Sequence, residues 1–367
     1  MPLPYLSKRT LFLIFGYLAA FVVACLGSYF YFSAKKVFVK KTPLPVSYDY
    51  PAATPSAKTI NVLLLGHGGE GHSGGSLMDS IILASVDTEG KKAALISIPR
   101  DLYLSLPTDF DNTTNHKINE AYAIGVDKIM FPNKKPEFKG ESGGWSLIKY
   151  AVGVVTGFSP DYFIAVDFGG FQKAIDLLGG VEVDVPKTYD DYFYPIKGKE
   201  NETCGLSPEK ITEFHQLYSG FELEKQFDCR YEHIHFDKGR VEMDGETALK
   251  YTRSRHGDGD FGRSGRQFAV LQAIEKKVSA LKIIETGGAV FDQLTETIRT
   301  DIGASQIKTL LDLLGNRQDY KIVSIHLSEE NVLRSSKGAG GAYILIPLAG
   351  LNDFSQVKGF IGQSLSE

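Results

Sequence analysis

The apolar positions of this chain fall into two regimes. From Thr10 to Ala34 they are nearly continuous and uncharged, whereas beyond residue 59 they come in short runs broken by glycine and polar turns. Ile60 to Leu65, Ile81 to Val86 and Ala93 to Ile98 read as buried strands, because such runs are too short for helices and are bounded by turn residues. A glycine-rich loop, Gly66 to Gly75, joins the first two. Asn119 to Gly125 and Trp145 to Thr156 read as helices, and Tyr162 to Val166 as a strand. Phe168 to Leu178 reads as a helix stopped by Gly179-Gly180, with a strand at Val181 to Val185. Farther on, Gly245 to Tyr251, Gln267 to Leu281 and Ile307 to Leu314 have helical spacing, and Tyr320 to Leu327 and Tyr343 to Ile346 read as strands. This alternation predicts an α/β layered domain with helices on both faces of a sheet. No linker divides residues 59–367, so they form one domain.

The N-terminal regime has a different meaning. Lys8 and Arg9 precede an apolar run long enough to cross a bilayer, and Tyr29, Tyr31 and Phe32 would mark one interface. Residues 1–35 are therefore expected to be an uncleaved membrane anchor. The alternatives are a cleaved signal peptide, for which the run is long, and a lipoprotein processed at Cys25 after Val22-Val23-Ala24. Residues 36–58 hold Pro43, Pro45, Pro51 and Pro55 and read as an extended stalk. Lys35, Lys36, Lys40 and Lys41 follow the span, and a count of flanking charge alone would put the domain in the cytoplasm. The cysteines argue the other way. Cys204 and Cys229 are the only pair beyond the anchor, and they suit a disulfide in an oxidising compartment or stand as two free thiols. Both lie in residues 187–239, a polar and aromatic stretch that breaks the pattern and reads as an irregular insertion or lid.

Composition changes the picture little: 43% apolar, 23% charged, net charge -4. Nucleic-acid binding is not expected without a basic excess, so any anion site must be a local cluster of cations. Tyr251 to Gln267 supplies one, with Arg253, Arg255, Arg263 and Arg266 interleaved with Gly257, Gly259, Gly262 and Gly265. Arginine forks match phosphate oxygens in pairs, and glycine lets the backbone approach a ligand. With a helix starting near Arg263, then Arg263, Arg266 and Gln267 would share one face near a positive helix end. The competing reading is a solvated loop of Arg–Asp pairs to Asp258 and Asp260.

Three shorter segments complete the set. Arg100 and Asp101 close Ser97 to Asp101 at the carboxyl end of a buried strand, where α/β sheets bind ligands. Asp79 opens the second strand beside the glycine loop, in a place that suits a hard cation shared with phosphate. Lys117, in Lys117 to Tyr122, is a further cation, and Asn119 a helix cap. His67, His72, His233 and His235 match no zinc motif, and the glycine loop lacks the Gly-Lys-Ser/Thr ending of a P-loop.

Together Asn61 to Gly66, Asp79 to Ile81, Ser97 to Asp101, Lys117 to Tyr122, Gly179 to Val183 and Tyr251 to Gln267 resemble, in order, the LytR-CpsA-Psr family of cell-wall glycopolymer ligases. The resemblance implies a central mixed sheet sandwiched between helices, with a polyprenyl chain in an apolar tunnel. It implies pyrophosphate binding by Arg100, Lys117, Arg253, Arg255, Arg263, Arg266 and Gln267. Mg2+ (or Mn2+) would be held by Asp79 and Asp101, which with Arg100 would be the catalytic residues. The expected reaction moves a glycan from undecaprenyl pyrophosphate to peptidoglycan, outside the membrane. The alternatives are hydrolysis of the carrier and a non-catalytic regulatory wall protein that holds the lipid. One position departs from the pattern: Gly68 stands where many members have aspartate, with Glu70 the nearest replacement.

Overall fold

The computed structural model describes residues 59–69, 74–281, 298–314 and 320–366. The expected anchor and stalk lie outside these residues, as does Glu70. Among the described residues no helix is long and apolar enough to cross a membrane.

The elements run in the order β1 (Thr59–His67), β2 (Met78–Asp87), β3 (Lys92–Ser97), β4 (Tyr103–Pro107), β5 (Thr113–Lys117), α1 (Ala121–Val126), α2 (Gly140–Thr156), β6 (Tyr162–Asp167), α3 (Phe168–Leu177) and β7 (Val181–Val185). There follow β8 (Tyr189–Pro195), α4 (Pro208–Leu217), α5 (Phe221–Glu224), β9 (Tyr231–Phe236), β10 (Gly239–Met243), α6 (Gly245–Arg253) and α7 (Gly259–Leu281). The chain closes with β11 (Ile298–Thr300), α8 (Ala304–Leu314), β12 (Lys321–His326), β13 (Leu333–Lys337), β14 (Tyr343–Pro347) and α9 (Ser355–Ser366).

The main sheet has the order β11-β6-β1-β2-β3-β12. It is mixed: β1 runs parallel to β6 and β3 parallel to β12, while β1–β2, β2–β3 and β6–β11 are antiparallel. Strand alternation divides its side chains between two faces. Leu63, Leu65, Ile81, Leu83, Ile96, Phe163 and Ala165 point to one face, where they form a core with Leu147, Ile148, Ala151, Val152 and Val155 of α2 and Val357 and Ile361 of α9. Each buried Val, Leu, Ile or Phe among them contributes about 1.5–3 kcal/mol. Trp145 stacks on Phe163 with centroids 4.4 Å apart. The α1–α2 contact depends on absent side chains: a Cβ on Gly125 would lie 2.3 Å from the Cα of Gly144.

A second core lies beyond the opposite face. It joins Ile175 of α3, Val181 and Val183 of β7, Met243 of β10, Tyr251 of α6 and Val270 of α7 with Tyr189, Tyr194, Ile234 and Phe236. The last four belong to residues 187–239, which are more ordered than their composition predicts. β8 and β9 pair antiparallel, α4 is capped by the Ser207 side chain, and Cys204–Cys229 is a disulfide. The insertion is thus a built wall of the second core. Gly179 and Gly180 have positive φ, the backbone that ends α3.

Candidate active site

Between the second face of the sheet and α3 and α7 lies a cavity of ≈ 1030 Å³, at the upper end of the range for small-molecule sites, about 300–1,000 Å³. Its walls share one polarity gradient. Along α7, Arg263, Gln267, Val270, Leu271 and Ile274 line the cavity at helical spacing. The wall therefore changes from cationic to apolar over about 16 Å of helix. The sheet repeats the gradient: Asp79 and Ser80 begin β2 and Ile82 follows, while Val166 and Ile164 lie successively deeper on β6. On α3, Phe168 is followed by Phe171 and Ala174. The polar end gathers the carboxyl ends of β1 and β6, the start of β2, and Arg100 just past β3.

Arg100, Arg253, Arg255, Arg263 and Gln267 all line this cavity, although Arg100 is far from the others along the chain. Arg100 pairs with Asp79, and its Nε lies 3.4 Å from Asp101. Arg253, in the last turn of α6, lies over the Phe168 ring at 4.1 Å and reaches the Tyr194 hydroxyl at 3.5 Å. A guanidinium stacked on an aromatic face keeps its donor edge available. α7 is seated on the sheet by Ser264, bonded to Ser97 at 2.9 Å, and by Gln267, which accepts from Ser80 at 3.3 Å.

Three of the expected residues stand elsewhere. Lys117 and Asp101 form a 2.6 Å ion pair, and neither lines the cavity. Asp101 is only 6% exposed and works as a prop behind Arg100. Arg266 is turned inward and is 4% exposed. It donates to the carbonyls of Tyr251 (2.8 Å) and Ser254 and to the Asp258 carboxylate, and its guanidinium lies 4.0 Å from the Tyr189 ring centre. The Arg–Asp pairing weighed from sequence is therefore real for this arginine. α7 also begins at Gly259, four residues before Arg263, so both arginines lie inside the helix and not at its end. Gly257 answers a packing need: its Cβ would lie 2.4 Å from the Asp190 carbonyl, so the close approach is to β8 and not to a ligand.

Sequence reasoning missed a second set of wall residues, Asp191, Ser254 and His256. Asp191 is 1% exposed and accepts from the Ser254 hydroxyl, the His256 Nδ1–H at 3.3 Å and the amides of Phe193, Arg255 and His256. Because the Ser254 proton goes to Asp191, the Tyr189 hydroxyl must donate to Ser254, at 2.6 Å, and it accepts in turn from the Gly257 amide. Burial alone would push the Asp191 carboxyl up. The bonds from His256, Ser254 and the amides outweigh it and hold the group well below the usual carboxylate range. The only signal in the sequence was the alternation of β8, which turns Asp190 outward and Asp191 inward. His256 stacks on Phe221 at 4.5 Å, and with Nδ1–H given to Asp191 its Nε2 is left as an acceptor. Asp167 also lines the cavity; it caps α3 through the Gly170 amide and stands 3.0 Å from where a Gly69 Cβ would lie. It places a carboxylate near the loop in which Gly68 replaces the expected one.

A mixed sheet with a partly apolar cavity whose polar end gathers arginines from separate segments is the class of site that an amphiphilic anion would fit. The match to known proteins agrees with that class. The chain belongs to the LytR_cpsA_psr family, whose model covers residues 31–348. Among relatives, the polyisoprenyl-teichoic acid–peptidoglycan teichoic acid transferase TagU of Oceanobacillus iheyensis is 28% identical over 278 residues, 74% of this chain and 68% of that protein. TagU of Bacillus cereus is 24% identical over 332 residues, 86% of this chain and 88% of its own length. The crystal structure of B. subtilis TagV superposes with a TM-score of 0.54 at 23% identity, covering 85% of this chain and 98% of that one. TagT bound to LI-WTA gives a TM-score of 0.52 at 21% identity, covering 90% and 97%. These two share the fold.

Proposed function

We propose that this protein transfers a glycopolymer from a polyprenyl pyrophosphate carrier to peptidoglycan, on the outer side of the membrane. The observation that carries the reading is the cavity itself, apolar in its depth and ringed by Arg100, Arg253, Arg255 and Arg263 at its polar end. A polyprenyl tail fits the apolar part and a diphosphate the cationic part. The relatives' activity supports the same assignment, and the Cys204–Cys229 disulfide supports an oxidising compartment.

In this mechanism the acceptor hydroxyl attacks the phosphorus that bears the glycan. The bond from that phosphorus to the bridging oxygen breaks, and polyprenyl phosphate leaves. Arginines fixed on aromatic rings and carboxylates hold the phosphate oxygens and stabilise the charge that grows on them, at no reorganisation cost during reaction. Among the wall groups, His256 and Asp79, which also pairs with Arg100, are the candidates to take the hydroxyl proton; Asp101, which does not line the cavity, is not. The donor set fits magnesium: Asp79 offers one wall carboxylate beside the phosphate-binding arginines, and this ion takes one or two carboxylates together with phosphate oxygens. When bound it would supply charge neutralisation at the phosphates.

The test is a reaction of lipid-linked glycan with and without peptidoglycan. Glycan should appear covalently on peptidoglycan, with polyprenyl phosphate released, and Arg255→Ala should lower the rate on the order of a hundredfold or more. Glycan released into water at the same rate without acceptor would make the protein a hydrolase. Intact lipid after incubation would make it a binding protein.

A further inference from the structure

On the outer face of the β8–β9 hairpin, away from the cavity, three side chains converge. β9 places His233 and His235 on the same side, because they are two residues apart on a strand, and the register sets Asp190 of β8 directly opposite His235. The His233 Nε2 and the His235 Nδ1 each lie 2.8 Å from the same oxygen, Asp190 Oδ1. All three ligand atoms fall within 4.8 Å of one another. Both contacts are hydrogen bonds from ring N–H groups, and they bring two imidazole nitrogens and a carboxylate oxygen close enough to share one small cation in place of those protons.

The surroundings are those of a metal site. The other ring nitrogen of His235, Nε2, lies 3.2 Å from the Asp237 carboxylate. As the structure stands, His235 donates to a carboxylate at each ring nitrogen; a cation bound between His235 and Asp190 would take the place of the Nδ1 proton, while Asp237 holds the Nε2 proton and the ring's direction. The Tyr192 ring stacks on His233 with centroids 4.1 Å apart and planes 3° from parallel, which holds the ring's direction. The three groups are partly exposed, so water can complete the shell.

We propose that Asp190, His233 and His235 form a binding site for a divalent cation of the zinc class, with Asp237 orienting His235. Two imidazoles and a carboxylate, with one position left for water, is a ligand set zinc accepts, and nitrogen donors select it over magnesium. The site is separate from the arginine-ringed cavity and does not depend on the glycan-transfer reading. It touches the cavity at one point: Asp191, the next residue, faces the other way and holds Ser254 and His256. A cation on Asp190 would fix the strand that carries that support.

The test uses the full-length chain in detergent, stripped with chelator and titrated with zinc alone in a background of excess magnesium. The wild type should bind one equivalent that His233→Ala and His235→Ala each lose, with affinity down tenfold or more. Asp237→Asn should weaken it by about 10- to 100-fold, as an orienting carboxylate does. Cobalt in place of zinc should give a visible ligand-field spectrum that vanishes in His233→Ala. Equal zinc binding by wild type and both histidine variants, or a cobalt spectrum unchanged by them, would overturn the proposal. So would the absence of any bound equivalent in the wild type. Because the side chains are on the surface, far-ultraviolet circular dichroism should show all variants folded.

Discussion

Two arginines from one short segment show how differently the same side chain can be used. Arg255 lines the cavity; Arg266, eleven residues later, is enclosed by two backbone carbonyls and a carboxylate and supports the loop from behind. The same division separates Arg100, on the wall, from Lys117, which meets Asp101 behind it. Cations on the wall face the cavity, while other cations hold the loops behind it. Charge count alone overstates the binding site, and what decides a residue's role is whether its side chain lines the cavity or is turned into the protein.

The contrast breaks most visibly in stability. Arg266→Ala should destabilise the fold by about 3–5 kcal/mol, because it removes a buried guanidinium that holds two carbonyls and the part-buried Asp258 carboxylate. Chemical denaturation measures this, and a loss below 1 kcal/mol would place Arg266 with the wall arginines. Arg255→Ala should behave in the opposite way, with near-normal stability and the large rate loss given above. A smaller effect is expected behind Arg100. Asp101→Asn removes the charge that holds Lys117 and should cost about 1–3 kcal/mol, with transfer reduced through a displaced Arg100. If Lys117→Ala lowers the rate as much as Arg255→Ala while stability is unchanged, Lys117 reaches the ligand after all.

The smallest effect concerns Asp191. Its folded-state acidity lies below the ordinary carboxylate value, so its contribution to stability is present above about pH 4. That contribution is lost as pH falls through the folded value. Denaturation across an acid series should therefore show the wild type losing stability more steeply below pH 4 than Asp191→Asn. Parallel curves would mean that the hydrogen bonds to Asp191 do not favour its charged form.

Much of the architecture was legible in the sequence. β1, β2, β3 and β6 announced themselves as apolar runs, and α3 by its glycine stop, because buried central strands and helix ends leave strong local marks. The hairpin β4–β5 did not: Thr113 to Lys117 is polar with no buried residue, and it pairs only because Tyr103 to Pro107 lies beside it. The insertion's hairpin was hidden for the same reason, its partners being separated by the excursion that the disulfide closes. At the site, residue types pointed to phosphate, but direction did not follow from type. Nothing local tells Arg255 from Arg266, and Asp191 meets Ser254 across 63 residues of chain.

The long helix α7 carries a guanidinium at Arg263 and hydrocarbon by Ile274, along a single face. An amphiphile laid against it has one way round that satisfies both ends; reversed, it would put its charge among leucine and isoleucine and its tail among arginines. Orientation is thus decided before any bond is made, and whatever is carried beyond the charged group always emerges on the same side of the molecule.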